Sequence, residues 1–349
     1  MKIETRSVYH FLNHCQTLYN IGPEDRVSNF SEVSFDFSVL DLWLTWYARA
    51  SLHVVPESQL MAPARFIQEH KLTFWASVPS VILFLDRLKH LKEGCFPTLR
   101  VSYFCGEALP LSSALLWGRA APNCVIDNHY GPTEATVGCS LERLTDPPNL
   151  TPGRDILSIG RPYSGMRMAI VGEQGIFLPQ GETGELALSG PQITQGYLGD
   201  DELTSRRLPV LDHPSLGRLR WYLTGDLSFE DASGTFHHMG RIDNQVKVLG
   251  HRIELEELDA HLRQVCKCES VVMVAWPIRN GSAEGVVAFV CATGITTGQI
   301  LDGLKKRLPP YALPREIIEI ESMPMTPNGK IDRKALLNIL AGRMQGSGI

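Results

Sequence analysis

The sequence predicts an α/β protein in two parts: a large parallel-sheet core that carries a β-rich subdomain, and a small, mobile C-terminal α+β domain. Three observations carry that reading. Up to about residue 140, short apolar strands alternate with helical segments, the pattern of a mostly parallel sheet covered by helices. From Met166 to Gly240, strand-like runs follow one another across glycine-containing turns. From about residue 243 a separate alternation fills roughly a hundred residues, a usual domain size.

Taken in order, RVSNF, SLHVVP, TFWAS, RVSYFC and CVIDNHY read as the strands of the first region. SVLDLWLTWYA, APARFIQEH, PSVILFLDRLKHL and SSALLWGRAA are the segments between them. This region is assigned to residues 1–140 and the β-rich subdomain to 141–242. Leu141 to Arg161 is rich in Pro, Gly and Asp and reads as a loop, followed by the strands MRMAIV, GELALSG and GTFHHMG. In the last region, residues 243–349, NQVKVLG alternates as a strand, and Leu255, Leu258, Leu262 and Val265 recur at helical spacing. SVVMVAW and GVVAFVCA are strands, TTGQILDGLKKRL is a helix closed by Pro309 and Pro310, and REIIEIE and DRKALLNIL complete the unit.

Composition narrows the function. A net charge of −5 argues against a nucleic-acid surface, which is usually basic, yet leaves room for a small anionic ligand. No apolar run approaches membrane-spanning length, and MKIETRSVYHF lacks the apolar core of a secretion signal. The eight cysteines show no pattern of metal-ligand pairs and read as reduced thiols of a cytoplasmic protein.

Four segments offer chemistry. NHYGPTE, Asn128 to Glu134, follows a strand, where ligands of open α/β sheets bind. It presents an aromatic face, a glycine, a hydroxyl and a carboxylate, parts for a base, a phosphate oxygen and Mg²⁺. It reads equally as a Gly-Pro turn with a capping threonine. Phe104 to Leu109, with Gly106, Glu107 and Ala108, would let a flat ring lie on the backbone, or is a plain strand-to-helix turn. In YLTGD, Asp226 beside a glycine suits the two hydroxyls of a ribose. GRID lies at the domain boundary, where Asp243 is a candidate pivot. A fifth feature, PNGKIDR, sets Lys330 directly behind an Asn-Gly turn.

With FDFS ahead of them and LPPYALP between GRID and PNGKIDR, these segments, in this order, resemble the adenylate-forming superfamily. Within it they are similar to the amino-acid-activating adenylation domains of nonribosomal peptide synthesis. YFCGEALP, GRIDNQVKVLGHRIELEEL and MPMTPNGKIDRK look closest to free-standing D-alanine–carrier protein ligases. The resemblance runs from Val8 to Leu340. It implies an enzyme that uses ATP and Mg²⁺ to make an aminoacyl adenylate. The acyl group would then pass to the phosphopantetheine thiol of a carrier protein supplied in trans.

Residue by residue, the resemblance implies that Tyr130 stacks on adenine, with Asn128, His129, Gly131 and the Gly106-Glu107-Ala108 segment around the nucleotide. Thr133 would touch the α-phosphate, Glu134 would hold Mg²⁺, and Asp226 would bind the ribose with Arg241 nearby. Lys330 would be the adenylation lysine and Asp243 the hinge. Asp36 would pair with the substrate ammonium, although an Asp ahead of SVLDLWL also suits a helix cap. Phe37, Leu40, Ser77, Tyr103, Cys105, His129, Val137 and Gly138 would surround the substrate side chain, a mixed pocket for a small or medium amino acid.

The sequence also departs from this family. The family carries a Gly/Ser/Thr-rich phosphate loop just before a segment resembling KIETRSVYHFLN, and Met1 falls at that junction. The core is therefore expected to be incomplete at its N-terminal side. A separate N-terminal half, a longer form of the chain or a natural variant would each account for it. Leu223 stands where the family usually has a basic residue, and Ala312 where it often has Met. The alternatives are a non-catalytic nucleotide- or carrier-binding remnant and an acyl-CoA ligase, the second disfavoured by Asp36.

Overall fold

The computed structural model describes residues 1–60, 62–242, 245–279, 282–291, 293–326 and 331–346. The chain divides into two compact units, Met1–Asp243 and Asn244–Ile349.

In the first unit seven strands form one sheet: β1 (Arg26–Asn29), β2 (Ser51–Val54), β3 (Phe74–Ser77), β4 (Val101–Phe104), β5 (Val125–Tyr130), β6 (Ser140–Arg143) and β7 (Arg161–Pro162). Their order is β2-β1-β3-β4-β5-β6-β7. The first five run parallel, β6 pairs antiparallel with β5, and β7 pairs antiparallel with β6. Every residue of β3 and β4 is buried, because helices cover both faces of a parallel sheet. Alternation along the strands sends Phe74, Ala76 and Tyr103 to one core and Trp75 and Phe104 to the other. The second core packs on the helices Pro63–Glu69, Ser80–Arg87 and Leu111–Ala120. The first core holds the candidate site.

That first core is closed by a helix, Thr5–Tyr19, whose Phe11, Leu12, Cys15 and Tyr19 point inward. The segment SVLDLWLTWYA is helical but irregular: α-helical over Phe37–Val39 and Thr45–Tyr47, with a π turn over Leu40–Leu44 between them. The reading of Leu141–Arg161 as one loop is corrected at both ends, since Ser140–Arg143 and Arg161–Pro162 extend the main sheet. SLER carries no apolar alternation, so its place is set by pairing with β5 rather than by pattern.

The β-rich part contributes β8 (Arg167–Val171), β9 (Thr183–Ser189), β10 (Val210–His213), β11 (Gly217–Arg220), β12 (Tyr222–Glu230) and β13 (Phe236–Arg241). Four of these form an antiparallel sheet, β13-β12-β9-β8, and β10 pairs only with β11. The register places Asp226 directly opposite Arg241.

The second unit holds β14 (Gln245–Val248), β15 (His251–Glu254), β16 (Val271–Ala275), β17 (Ile278–Arg279), β18 (Ser282–Ala283), β19 (Val286–Val290) and β20 (Pro314–Glu319). They form one four-stranded and one three-stranded sheet. The helices Leu255–Cys266, Thr297–Lys305 and Arg333–Gly346 accompany them. Among the described residues no helix is long and apolar enough to cross a membrane.

Candidate active site

The site is built around the loop that leaves β5. After Tyr130 the chain passes Gly131 and Pro132 into a short helical turn, Thr133–Ala135. A Cβ on Gly131 would lie 2.6 Å from the Gly138 Cα, so glycine is what lets the two limbs of the loop close. Thr136 and Val137 then adopt φ of 60° and 70°, a left-handed backbone that β-branched residues rarely accept. Thr133, Thr136 and Val137 form one wall of a half-open cavity of about 380 Å³. Asp36, Val39 and Trp43 form a second wall, and Ile3, Thr5 and Val8 a third. Asp36 is the only charged side chain among the described residues that line it. Its side chain makes no cap hydrogen bond to the helix that follows. A carboxylate on an apolar wall is an obvious seat for a cationic group.

Next to Val137 in the chain, Gly138 is packed against aromatic side chains. A Cβ on Gly138 would meet the Tyr103 hydroxyl at 2.3 Å and the Tyr163 hydroxyl at 2.8 Å. His129 lies on the Tyr103 ring, and both of its nitrogens are engaged: Nδ1 with Tyr163 Oη at 2.5 Å and Nε2 with Tyr19 Oη at 2.6 Å. Tyr19 Oη also donates to Asp127 at 2.9 Å, and Asp127 accepts two bonds from Arg143 at 2.7 and 2.8 Å. Because Tyr19 gives its one proton to Asp127, His129 Nε2–H donates to Tyr19; a neutral His129 then accepts from Tyr163 at Nδ1. Burial holds its pKa well below the usual imidazole range, with His14 and Arg143 adding to the effect.

A second polar corner gathers around Asp226. Its Oδ2 accepts from Tyr130 Oη at 2.5 Å and its Oδ1 from Arg241 Nη1 at 2.7 Å, with His238 Nε2 at 3.4 Å. Burial, with the Asp226 carboxylate beside it, pushes the Tyr130 phenol well above its ordinary range, so it stays protonated. Gly225 has φ 74°, which a side chain would strain, and its N–H is held by Glu185 at 2.7 Å. Asn128 donates to the Ser158 carbonyl at 2.7 Å, while its buried Oδ1 has no protein hydrogen-bond partner among the described residues.

Of the side chains expected from sequence, Asp36, Thr133 and Val137 meet at the cavity. Phe37, Leu40, Ser77, Tyr103, Cys105 and His129 are buried in the fold and do not line this cavity, with the Tyr103 hydroxyl against Gly138 and His129 stacked on the Tyr103 ring. Glu107 is turned to the start of the helix Ser80–Arg87, accepting from Ser80 N at 2.8 Å, while Gly106 and Ala108 reach the surface. Glu134 is buried and accepts from Tyr197 Oη at 2.8 Å. Lys330 and Asp243 lie outside the described residues. Sequence reading missed Tyr19, Tyr163, His238 and Gln192. Tyr19 could have been found as the inward position of an amphipathic pattern, Phe11, Leu12, Cys15 and Tyr19. The other three sit on segments with no local signal.

Comparison with known proteins gives a consistent picture. The model of the AMP-binding enzyme family matches residues 2–198, and that of the AMP-binding enzyme C-terminal domain matches residues 257–330. The D-alanine--D-alanyl carrier protein ligase of Bacillus cereus (strain G9842) is 33% identical over 331 residues, covering 92% of this chain and 64% of the relative. The chain thus spans just under two thirds of the length of that curated relative. Among solved structures, the Vibrio cholerae adenylation domain AlmE, in complex with glycyl-adenosine-5'-phosphate, superposes with a TM-score of 0.86 at 35% identity. That match covers 97% of this chain and 63% of AlmE. Holo-PA1221, an NRPS protein containing adenylation and PCP domains, has a TM-score of 0.75 at 25% identity, over 91% of this chain and 54% of its own.

Proposed function

The chain belongs to the AMP-binding enzyme family, and from that premise we propose that it activates a small amino acid with ATP for transfer to a carrier protein. One observation carries the substrate reading. Asp36 is the one charged side chain among the described residues that line the cavity, and next to the lining residue Val137 the hydroxyls of Tyr103 and Tyr163 crowd Gly138. With an α-ammonium on Asp36, we read that crowding at Gly138 as a limit on the side chain, which suits a small amino acid such as glycine or alanine. One relative is named for D-alanine, and AlmE was solved with a glycyl adenylate, both carrying an amino acid of that size.

The residues present fit a nucleotide. Asp226, held by Arg241 and Tyr130, supplies carboxylate oxygens for ribose hydroxyls, and the unpartnered Asn128 Oδ1 suits an exocyclic amine. Thr133 brings a hydroxyl to the cavity wall for a phosphate oxygen. Mg²⁺ typically takes one or two protein carboxylates and completes its shell with phosphates and waters, so the single Glu134 is a sufficient donor. Bound there, the ion would neutralise phosphate charge.

In the proposed reaction a carboxylate oxygen of the amino acid attacks the α-phosphorus, and pyrophosphate leaves. Negative charge grows on the phosphate oxygens, which positioned cations stabilise. Lys330 is our candidate for that cation and Asp243 for the pivot that brings it in and out. The acyl group then passes to a phosphopantetheine thiol on a carrier in trans. None of the eight cysteines is joined in a disulfide.

The test is amino-acid-dependent ATP–pyrophosphate exchange across a full amino-acid panel, with the chain alone and with a co-expressed N-terminal segment of a relative. Exchange confined to glycine and alanine is expected. No exchange with any amino acid in either arrangement would sink the proposal, and ATP binding without turnover would point to a non-catalytic remnant. Transfer to CoA in preference to a holo-carrier would point to an acyl-CoA ligase.

A further inference from the structure

We propose that Gln192 is a positioning residue that clamps the left-handed Thr136–Val137 wall of the amino-acid cavity; this rests on the amino-acid reading of that cavity. Two consecutive β-branched residues at positive φ do not hold such a backbone unaided. Something must over-determine it, and the fully buried Gln192 carboxamide does so. Its Nε2 donates to the Gly138 carbonyl at 2.7 Å and to the Ala135 carbonyl at 2.9 Å, with the Thr136 carbonyl at 3.5 Å. Its backbone carbonyl accepts from Thr136 Oγ1 at 2.7 Å, so the strained residue is held from both sides.

The amide orientation follows from chemistry. Three carbonyls around one end require the NH₂ there, which leaves Oε1 facing His10 Nδ1 at 2.9 Å. His10 must therefore carry its proton on Nδ1. It belongs to the helix Thr5–Tyr19, which also brings Thr5 and Val8 to the cavity, and Ser7 of that helix donates to the Pro191 carbonyl at 2.8 Å. Gln192 thus ties two cavity walls to each other. The adjacent Thr194 N–H donates to the Glu134 carbonyl at 2.8 Å, so the same segment also braces the start of the loop.

Without that donor, the carbonyls of Ala135 and Gly138 lose a buried partner, and Thr136 and Val137 relax toward negative φ. Val137 would then leave the wall that faces Asp36. Binding of the amino acid should suffer, whereas the corner of Tyr130, Asp226 and Arg241 stays as it is.

The experiment compares the full chain with Gln192→Met, which keeps length and removes both donor and acceptor. Amide hydrogen exchange without ligand is expected to speed up at least tenfold across residues 133–139 while β3 and β4 keep their protection. In titrations with a non-hydrolysable glycyl-sulfamoyl adenosine and with AMP, the glycyl compound should bind at least tenfold more weakly and AMP within twofold of the original. Unchanged exchange at residues 133–139, or equal loss of both ligands, would overturn the clamp. If the unaltered chain binds AMP but no glycyl compound while the Met variant still loosens the loop, the amino-acid reading fails and Gln192 is only structural. Should the Met variant not fold, Thr136→Val removes the second bond without changing shape, and the same outcomes apply to it.

Discussion

His129 lies flat against Tyr103, ring centroids 3.7 Å apart and planes 10° from parallel, so the imidazole backs the ring whose hydroxyl crowds Gly138. The Tyr103 hydroxyl stands where a side chain on Gly138 would begin. Tyr103→Ala is therefore expected to extend ATP–pyrophosphate exchange from glycine and alanine to larger aliphatic amino acids. Emptying so large a buried site should also lower stability by about 3–5 kcal/mol, read from urea denaturation. A variant that is destabilised but keeps the original substrate range would show that the ring is core and not a size limit.

The role proposed for Asp36 is of a different kind and rests on charge. Removing one partner of a desolvated ion pair typically loses ~2–4 kcal/mol, roughly 30- to 1000-fold. Asp36→Ala should raise KM for the amino acid by that factor and leave KM for ATP nearly unchanged. If both constants rise together, Asp36 shapes the helix that follows it instead of holding the ammonium.

The parallel core was legible because its strands are continuous apolar runs; FWAS and VSYF are buried at every position, and no other element could absorb them. The Asp226–Arg241 pair was half legible. Both residues stood out, yet only the β12–β13 register makes them cross-strand partners. The aromatic cluster beside Gly138 was half legible. Tyr103 and His129 were expected beside the substrate, but Tyr19 and Tyr163 come from two further segments where each alone reads as an ordinary buried aromatic. The π turn at Leu40–Leu44 was equally hidden, since LDLWL carries the same apolar spacing in an α-helix.

That π turn contains Asp41, which is fully buried, and burial pushes its pKa up to about 8 against the bonds from Asn29 and the Ser31 and Phe30 amides. The folded pKa lies above the ordinary value of 3.8, so the folded chain binds a proton that the unfolded chain has lost. Stability must therefore fall as pH rises from about 4 to about 8, and level off above that. Asp41→Asn should remove this slope. The check is the difference in urea midpoint between variant and original chain across that range; parallel profiles would mean that Asp41 is ionised in the fold.

In the second unit, the buried Asp259 accepts from the Met273 N–H at 2.7 Å and from Arg333 Nη2 at 2.5 Å. Asp332, the residue before, donates its N–H to the Pro324 carbonyl at 2.8 Å and accepts from Ala335 N at 3.0 Å. These bonds fix the chain three residues beyond Lys330 to the helix Leu255–Cys266 and to β16. If Lys330 stabilises the α-phosphate, Lys330→Ala should slow adenylation by roughly 10²–10³-fold, the scale of losing one oriented donor. Transfer from preformed aminoacyl adenylate to the carrier should survive. Asp259→Ala should act in the same direction through lost anchoring, and should also destabilise the unit by about 3–5 kcal/mol, because Arg333 loses a buried partner. Single-turnover assays of the two half-reactions separate these effects: equal loss of both with Lys330→Ala would mean that the lysine does not act on the phosphate.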